Sequence, residues 1–369
     1  MKNLLRLLLK SQHQRNRSGP DQTDKGMTLV ELLVGAIMAF LIITPMLGFV
    51  VDMLNTDRRE QVKSNTEQDV QAAVDFIAQD LSQALYIYDN SAEGVPKLLA
   101  GNFIPSLAAT NGTPILVFWK RQQLKNSLPI AAGETPINCA QNTPLTGAGA
   151  CNDTYVLSLV AYYQVIGDPG IWCQPSGGPC PTRIVRYQIQ DGLRDPTKST
   201  DPNPVNRYFA DGDLKNPDGQ KRSDAFNIGT PTEAGFDISK PTEKVTRANT
   251  RWDRQDVLVN YIDHSPQTGK PIDPEECQKA LGNPTTQTGI TTAPIPEKTL
   301  KVTDDKRDTQ NNTNSFYACV DTQRNLARVT IRGNSLRRLQ PNYADYNANR
   351  SAYFPTASVQ VQGLGARGQ

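Results

Sequence analysis

Histidine is the scarcest functional residue in this sequence, with only His13 and His264 among 369 residues. The chain also contains no C-x-x-C pair, no P-loop, no G-x-S-x-G turn and no H-E-x-x-H helix. Asp263, His264 and Ser265 are adjacent in sequence, but the members of a catalytic triad meet in space rather than along the chain. We therefore predict no enzymatic activity, no metal site and no cofactor, and we expect His264 to be an exposed loop residue.

Long apolar runs are absent after residue 51, and the mean hydropathy of −0.50 excludes a protein with several membrane spans. Glycine and proline contribute 26 residues each, which favours a loop-rich, β-leaning body. Residues 1–26 hold six basic and two acidic residues, net +4, whereas the remainder holds 33 basic and 35 acidic residues, net −2. A slightly acidic body has no electrostatic footprint for nucleic acid, so we expect none as a partner.

One apolar run stands out, from Met27 to Val51, with 25 residues and a single charge at Glu31. As a helix it would reach roughly 37 Å, enough to cross a bilayer core. The basic residues before it place 1–26 in the cytoplasm and the body on the other side of the inner membrane. A secretory signal would instead have a shorter apolar stretch followed by a small-residue cleavage site. Residues 27–51 are therefore predicted to be a single transmembrane span.

Glu31 is unusual because a carboxylate inside a membrane helix costs about 2.5–3.5 kcal/mol on insertion scales. If the chain is cut after Gly26, Met27 gains a free amine and Glu31 becomes the fifth residue of the product. An amine and a carboxylate about 4 Å apart gain about 4 kcal/mol at an effective dielectric of about 20. The amine of one chain can thus neutralise Glu31 of a neighbouring helix. The alternative is an ordinary signal anchor in which Glu31 lies near the interface and is solvated.

The segment 26–34 (GMTLVELLV) resembles the prepilin signal of type IV pilins and type II secretion pseudopilins. The family pattern is Gly, usually Phe or Met, then Thr-Leu-x-Glu and an apolar helix. The resemblance implies cleavage between Gly26 and Met27, N-methylation of Met27, and a role for Glu31 in assembly. It also implies a pilin-like α+β fold, in which a long N-terminal helix precedes a globular body with an antiparallel sheet. The implied partners are a prepilin peptidase, an inner-membrane assembly platform and other pseudopilins.

The helix is predicted to continue over residues 52–90 as an extramembrane, amphipathic segment. Pro45, inside the span, predicts a kink or local melting near Thr44. An apolar stripe at steps of three and four consists of Val70, Ala73, Val74, Ile77, Leu81 and Leu85. The opposite face consists of Gln68, Asp69, Gln71, Asp75, Gln79 and Gln83. Two interpretations of the stripe are open, packing on the protein's own sheet, which we favour, and a seam for a partner helix.

The body, residues 95–369, is predicted to be a sheet with long loops. The candidate strands are Pro114–Lys120, Thr154–Ile166, Arg183–Gln190, Asp256–Ile262, Ser315–Val320, Ala327–Gly333 and Ser358–Gln362. The loops 191–250 and 264–312 are long for a compact body, which is typical of functional or mobile segments. The segment 211–219 alternates oxygen-bearing residues with glycine as calcium loops do, but it lacks the EF-hand spacing. A solvated acidic turn is the favoured interpretation there.

All cysteines lie after residue 130, and their even count suits disulfides in an oxidising compartment. Six cysteines allow 15 pairings, and buried free thiols are the alternative. Proximity in sequence favours the pairs Cys139–Cys151, Cys173–Cys180 and Cys277–Cys319.

The tail segments 327–339 and 353–362 resemble the C-terminal region of pseudopilins of hormogonium polysaccharide secretion in filamentous cyanobacteria. This resemblance implies a minor pseudopilin that supports polysaccharide secretion and gliding motility. Secreted polysaccharide then becomes a further candidate partner, with four tail arginines able to meet acidic glycan or a partner subunit, Arg328, Arg332, Arg337 and Arg338. The alternative for these arginines is a solvated strand face.

Two other functions stay open. The first is a minor subunit of a type IV pilus or DNA-uptake filament, which would share the N-terminal signal. The second belongs to another class, a signal-anchored periplasmic enzyme or glycan-binding protein. The latter predicts an uncut N-terminus and indifference to Glu31.

Overall fold

The computed structural model describes residues 28–101, 104–105, 107, 112–130, 135–139, 151–165, 171–202, 207–209, 254–265, 273–288, 291–303, 314–342 and 344–365. The expected cleavage position, Gly26–Met27, and the segment 211–219 lie outside these residues. The chain divides into two units, 1–58 and 59–369, at a boundary within the helix that begins at Leu29.

Helix α1 runs from Leu29 to Ser82, 54 residues without interruption. The chain is helical on both sides of Pro45, and the Thr44 hydroxyl donates a hydrogen bond to the Phe40 carbonyl at 2.8 Å. Of the two expected alternatives, local melting is therefore excluded, and a kink at Pro45 stays a prediction.

The end of α1 differs from the sequence-based prediction, because the helix stops at Ser82 rather than continuing to residue 90. The next residues, Ala84–Tyr88 (ALYIY), form strand β1. β1 pairs antiparallel with β2 (Gly112–Pro129), and Ile87 lies opposite Phe118. Because aromatic and β-branched residues fit a pleated, half-buried surface, pairing with β2 overrides the helical spacing that includes Leu85.

The first sheet has five antiparallel strands in the order β1-β2-β3-β4-β5, where each strand pairs with the next along the chain. The remaining strands are β3 (Cys151–Val165), β4 (Thr182–Gln190) and β5 (Arg254–Ile262). The middle of the sheet is buried on both faces, as the consecutive fully buried residues Val160, Ala161, Tyr162 and Tyr163 of β3 show.

The rest of the body holds a two-stranded hairpin and a second sheet. The hairpin pairs β6 (Thr285–Thr288) with β7 (Thr291–Pro294). The second sheet has the order β11-β10-β9-β8 and contains β8 (Lys301–Val302), β9 (Phe316–Asp321), β10 (Leu326–Arg332) and β11 (Thr356–Gln362). The short helices in the described ranges are α2 (Val95–Ala100), α3 (Pro136–Cys139), α4 (Glu276–Ala280), α5 (Glu297–Leu300) and α6 (Ser335–Leu339), with 3₁₀ segments at Pro196–Lys198 and Ala348–Tyr353.

One apolar core joins both sheets to the second half of α1. The helix contributes its predicted stripe, in which Val70, Ala73, Val74, Ile77 and Leu81 are all at most 2% exposed. The interpretation that the stripe packs on the protein's own sheets is therefore confirmed. Burial of each large apolar side chain contributes about 1.5–3 kcal/mol. The architecture is α+β, with a long N-terminal helix and a body of antiparallel sheets.

Candidate functional site

The first half of α1 presents apolar side chains to its surroundings on every side. Every residue from Leu29 to Leu54 is exposed, and Leu29, Phe40 and Phe49 are 83%, 72% and 71% exposed. Among the described residues, α1 is the one helix long and apolar enough to cross a membrane. Apolar surface in water is unfavourable by about 25 cal/mol per Å². This half of α1 therefore needs lipid or other helices around it.

Glu31 lies in the first turn of α1, directly after the helix start. The Thr28 hydroxyl oxygen accepts a hydrogen bond from the Glu31 backbone N–H at 3.3 Å, as an N-cap residue does. Thr-x-x-Glu is the sequence signature of a capping box, and a carboxylate in the first turn complements the helix dipole. The local hydrogen bond at the helix start is thus made by the Thr28 side chain and the Glu31 backbone, so the structure assigns no local hydrogen bond to the Glu31 carboxylate.

A buried cluster of charged residues around Asp80 binds the second half of α1 to the first sheet. Lys120 of β2 donates to Asp80 Oδ1 at 2.6 Å, and Arg186 of β4 donates its Nε–H to Asp80 Oδ2 at 2.7 Å. The Tyr162 hydroxyl of β3 donates to the same Oδ2 at 2.7 Å. One carboxylate on the helix thus contacts three neighbouring strands.

Burial alone would raise the pKa of Asp80, but the positive charges and hydrogen bonds of Arg186 and Lys120 outweigh it and hold that pKa below its usual value. Burial, reinforced by the negative charge of Asp80, raises the pKa of Tyr162 well above its usual range. Asp80 is therefore ionised and Tyr162 neutral at physiological pH. Lys120 and Arg186 bring two positive charges to this cluster, and Asp80 brings one negative charge. Both cations therefore depend on the Asp80 carboxylate for charge compensation.

A row of polar side chains on the same face of the sheet continues this cluster. Arg186 also donates to Gln188, which in turn donates to the Gln122 side chain. The Ser158 hydroxyl donates to the same Gln122 oxygen at 2.9 Å. These bonds satisfy polar groups beside the helix and fix the orientation of the Arg186 guanidinium.

Sequence reasoning missed this cluster, although the sequence contains a signal for it. Asp80 stands three residues after Ile77, on the apolar stripe, where an unpaired charge would be costly. Lys120 and Arg186 likewise interrupt apolar strand segments, PILVFWK and RIVRYQI. A carboxylate on a buried helix face and two cations in buried strands predict an ion pair, but not which strands adjoin the helix.

The run 263–265 serves as a junction between the two sheets, and the prediction that His264 is exposed is wrong. His264 is 9% exposed, and its Nε2 lies 3.5 Å from Asp345 Oδ1. Asp263 follows β5 and accepts a hydrogen bond from Arg332 Nε of β10 at 2.9 Å. The Ser265 hydroxyl donates to Asp263. These contacts tie β5 to the end of β10, which accounts for the burial of the run.

Three of the four tail arginines contact other parts of the body, Arg332 and Arg337 within it and Arg338 at its surface. Arg332 pairs with Asp263, and Arg338 of α6 pairs with Asp69 of α1. Arg328 lies on the outer side of β10 beside the exposed edge strand β11. The Arg332 and Arg338 side chains are 17% and 19% exposed, so the alternative of a solvated face is wrong for these two residues. Contact of the tail arginines with glycan or a partner stays a prediction.

Arg337 is the most buried of the four, with 0% exposure. Its Nε and Nη2 donate to the carbonyls of Pro179 and Pro175, each at 2.7 Å. Burial lowers the pKa of Arg337. This side chain therefore joins α6 to the loop that the Cys173–Cys180 disulfide closes. Because the Arg337 side chain is fully buried, it is not accessible to a partner.

The structure joins the six cysteines in three disulfides, Cys139–Cys151, Cys173–Cys180 and Cys277–Cys319. These are the pairs that proximity in sequence favoured. The first pair links α3 to the start of β3, and the third links α4 to β9. Within the described ranges, no three His, Cys, Asp or Glu side chains are grouped to hold a metal ion.

The likeness to prepilin signals rests on residues 26–34, of which 28–34 are described. No protein-family model, curated protein or solved structure matches this chain. The functional conclusion therefore rests on the N-terminal motif and on the contrast between the two halves of α1.

Proposed function

We propose that this chain is a non-enzymatic minor pseudopilin, anchored by one membrane span and assembled into a type IV pilus-like or type II secretion-like filament. The observation that carries the proposal is the division of α1. Its first half, Leu29–Leu54, is apolar and exposed on all sides, while its second half is built into the body. A filament subunit needs this combination, because its anchor must leave the membrane and pack among other helices without unfolding the body.

Processing creates the partner that Glu31 needs. Cleavage between Gly26 and Met27 by a prepilin peptidase gives Met27 an α-amine, which the same peptidase N-methylates. An amine of a neighbouring subunit at about 4 Å offsets the insertion cost of the Glu31 carboxylate. The pair then sets the axial register between neighbouring helices.

The body is proposed to lie on the periplasmic or extracellular side of the inner membrane. The net charge of +4 on residues 1–26 holds the leader in the cytoplasm. The three disulfides favour the oxidising side for the body. After processing, the subunit becomes associated with the filament through the assembly platform and other pseudopilins.

Polysaccharide secretion with gliding motility is the proposed role of the apparatus. It is supported by the likeness of the tail, which falls on β10, β11 and the segments between them. Arg332, Arg337 and Arg338 make contacts within the body, so we assign no glycan contact to these arginines. The likeness of the tail therefore supports a shared fold of the body rather than a glycan-binding surface. A pilus or DNA-uptake subunit would share α1 and differ in deletion phenotype and partners.

The experiment that tests the proposal replaces Glu31 by Val in the full chain. Because each 1.4 kcal/mol of lost pairing is a factor of ten, we expect incorporation into sheared filaments to fall at least about tenfold. Membrane insertion should persist, since the change makes the span more apolar. Glu67→Val is the matched control, because Glu67 is an exposed residue of the same helix.

Normal incorporation of Glu31→Val would remove the assembly role. An uncut chain that is indifferent to Glu31 would favour a signal-anchored periplasmic enzyme or glycan-binding protein instead. Loss of surface polysaccharide on deletion would favour the secretion apparatus, and loss of pili or DNA uptake would favour the pilus subunit.

A further inference from the structure

The two ends of the body-packed part of α1 are held by different kinds of contact. Residues 70–81 contribute five buried apolar side chains and the Asp80 cluster. Between Lys63 and Asp69 the contacts of the charged side chains with the body lie at the surface. Lys63 Nζ lies 4.5 Å from the centre of the Tyr353 ring, and Arg338 pairs with Asp69, whose side chain is 48% exposed.

Thr66 is the one buried residue of this earlier stretch, and its burial depends on a glycine. A Cβ atom added at Gly333 would lie 2.8 Å from Thr66 Cγ2 and 2.9 Å from Val70 Cγ2. The Thr66 hydroxyl donates to the Val62 carbonyl within the helix at 2.8 Å. Separation of Thr66 from Gly333 therefore exposes a methyl group but leaves no polar group without its partner.

We propose that residues 63–69 form a detachable segment of α1, which separates from the body while residues 70–81 stay packed. Among the described residues, the contacts that hold this segment to the body are a cation–π contact, a surface ion pair and one methyl contact, all of which are weak. The hydrogen bonds within the helix persist, so the segment stays helical. Detachment adds seven residues, about 10 Å, to the unpacked length of α1. The fold thus contains a tether of adjustable length, whatever apparatus the protein serves.

Single-cysteine labelling tests this proposal on the full chain in detergent micelles. The six native cysteines are all in disulfides, so an engineered thiol is the reactive one. Maleimide labelling rates of Thr66→Cys and Ile77→Cys are compared, each relative to the unfolded chain. Both positions are at most 1% exposed. We expect Thr66→Cys to react at least about 100-fold faster, since each 1.4 kcal/mol of opening free energy is a factor of ten.

Two further variants sharpen the comparison. Arg338→Ala removes the pair with Asp69 and should accelerate labelling of Thr66→Cys several-fold while leaving Ile77→Cys unchanged. Gly333→Ala adds a Cβ that meets Val70 as well as Thr66, so it should accelerate labelling of Thr66→Cys more than that of Ile77→Cys. If Gly333→Ala unfolds the body, labelling of Ile77→Cys accelerates to the same extent as that of Thr66→Cys. The effect of Arg338→Ala on the two labelling rates then tests the proposal. Equal, slow labelling at both positions, or joint acceleration of both by Arg338→Ala, would overturn the proposal, because the helix would then leave the body only as a whole.

Discussion

The two halves of α1 belong to one continuous helix but depend on different surroundings. Leu29–Leu54 carries apolar side chains all round and is exposed throughout. Residues 70–81 carry one apolar stripe with Asp80 on the same side, and the body buries both. The second half is stabilised within the chain, whereas the first half requires other molecules. The comparison teaches that stability and assembly are separated along a single helix, so substitutions in the two halves should affect different measurements.

The largest effect on stability is expected from Asp80→Ala, which leaves Lys120 and Arg186 buried without their anion. Breaking a buried pair in this way costs about 3–5 kcal/mol of unfolding free energy. Urea unfolding of the full chain in micelles, followed by tryptophan fluorescence, measures it. The control is Asp75→Ala, on the exposed face of the same helix, with a change within about 0.5 kcal/mol. Equal, small effects of both variants would contradict the role of the cluster.

Two isoleucines of α1 provide the closest comparison between its halves. Ile77 is 0% exposed and Ile42 is 67% exposed. Ile77→Ala should lower the unfolding free energy of the body by about 2–5 kcal/mol, because it leaves a cavity. Ile42→Ala should change that free energy by no more than about 0.5 kcal/mol. A similar loss of body stability from both would show that the first half of α1 is not independent of the body.

Acidification should weaken the second half selectively. Because the folded-state pKa of Asp80 is depressed, its contribution is fully present above the unfolded-state pKa of about 3.9 and is lost as pH falls below that value. The unfolding free energy should therefore decrease below about pH 4, and Asp80→Asn should show a smaller decrease. Urea titrations between about pH 6 and pH 2.5 measure it, and parallel curves for both proteins would contradict the assignment.

The smallest effect is expected from Asp69→Asn, which weakens the pair with Arg338. A partly exposed ion pair contributes about 0–1 kcal/mol, and salt screens it. Unfolding curves with and without about 0.5 M salt test this, since added salt should shrink the difference between wild type and variant. A loss as large as that of Asp80→Ala would show that the early part of the packed helix is held as firmly as the later part.

Local patterns in the sequence were sufficient to predict the stripe on α1 and the approximate positions of seven strands, and proximity in sequence favoured the cysteine pairs without deciding among the alternatives. The stripe was predictable because spacing of three and four places Val70, Val74 and Ile77 on one side of a helix. The end of α1 was not predictable, because the pairing of Ile87 with Phe118 joins residues far apart in sequence. Spacing alone continued the helix through Leu85.

Long-range polar contacts account for the remaining differences. Asp80 meets Lys120 and Arg186 only when three strands of the sheet are assembled beneath α1. His264 is buried because β5 and β10 meet beside it, and a loop position gives no sign of that neighbour. Contacts between polar residues that the topology brings together are hard to predict from a single sequence. The periodicity of apolar residues, in contrast, predicts the buried face of a helix directly.

The most direct test of the pseudopilin proposal is mass spectrometry of the N-terminus of the protein purified from its native membrane. The proposal predicts that the chain begins at Met27, that this residue is N-methylated, and that the cut is lost in cells without the prepilin peptidase. An intact Met1, or a cut at another position than Gly26–Met27, would contradict it.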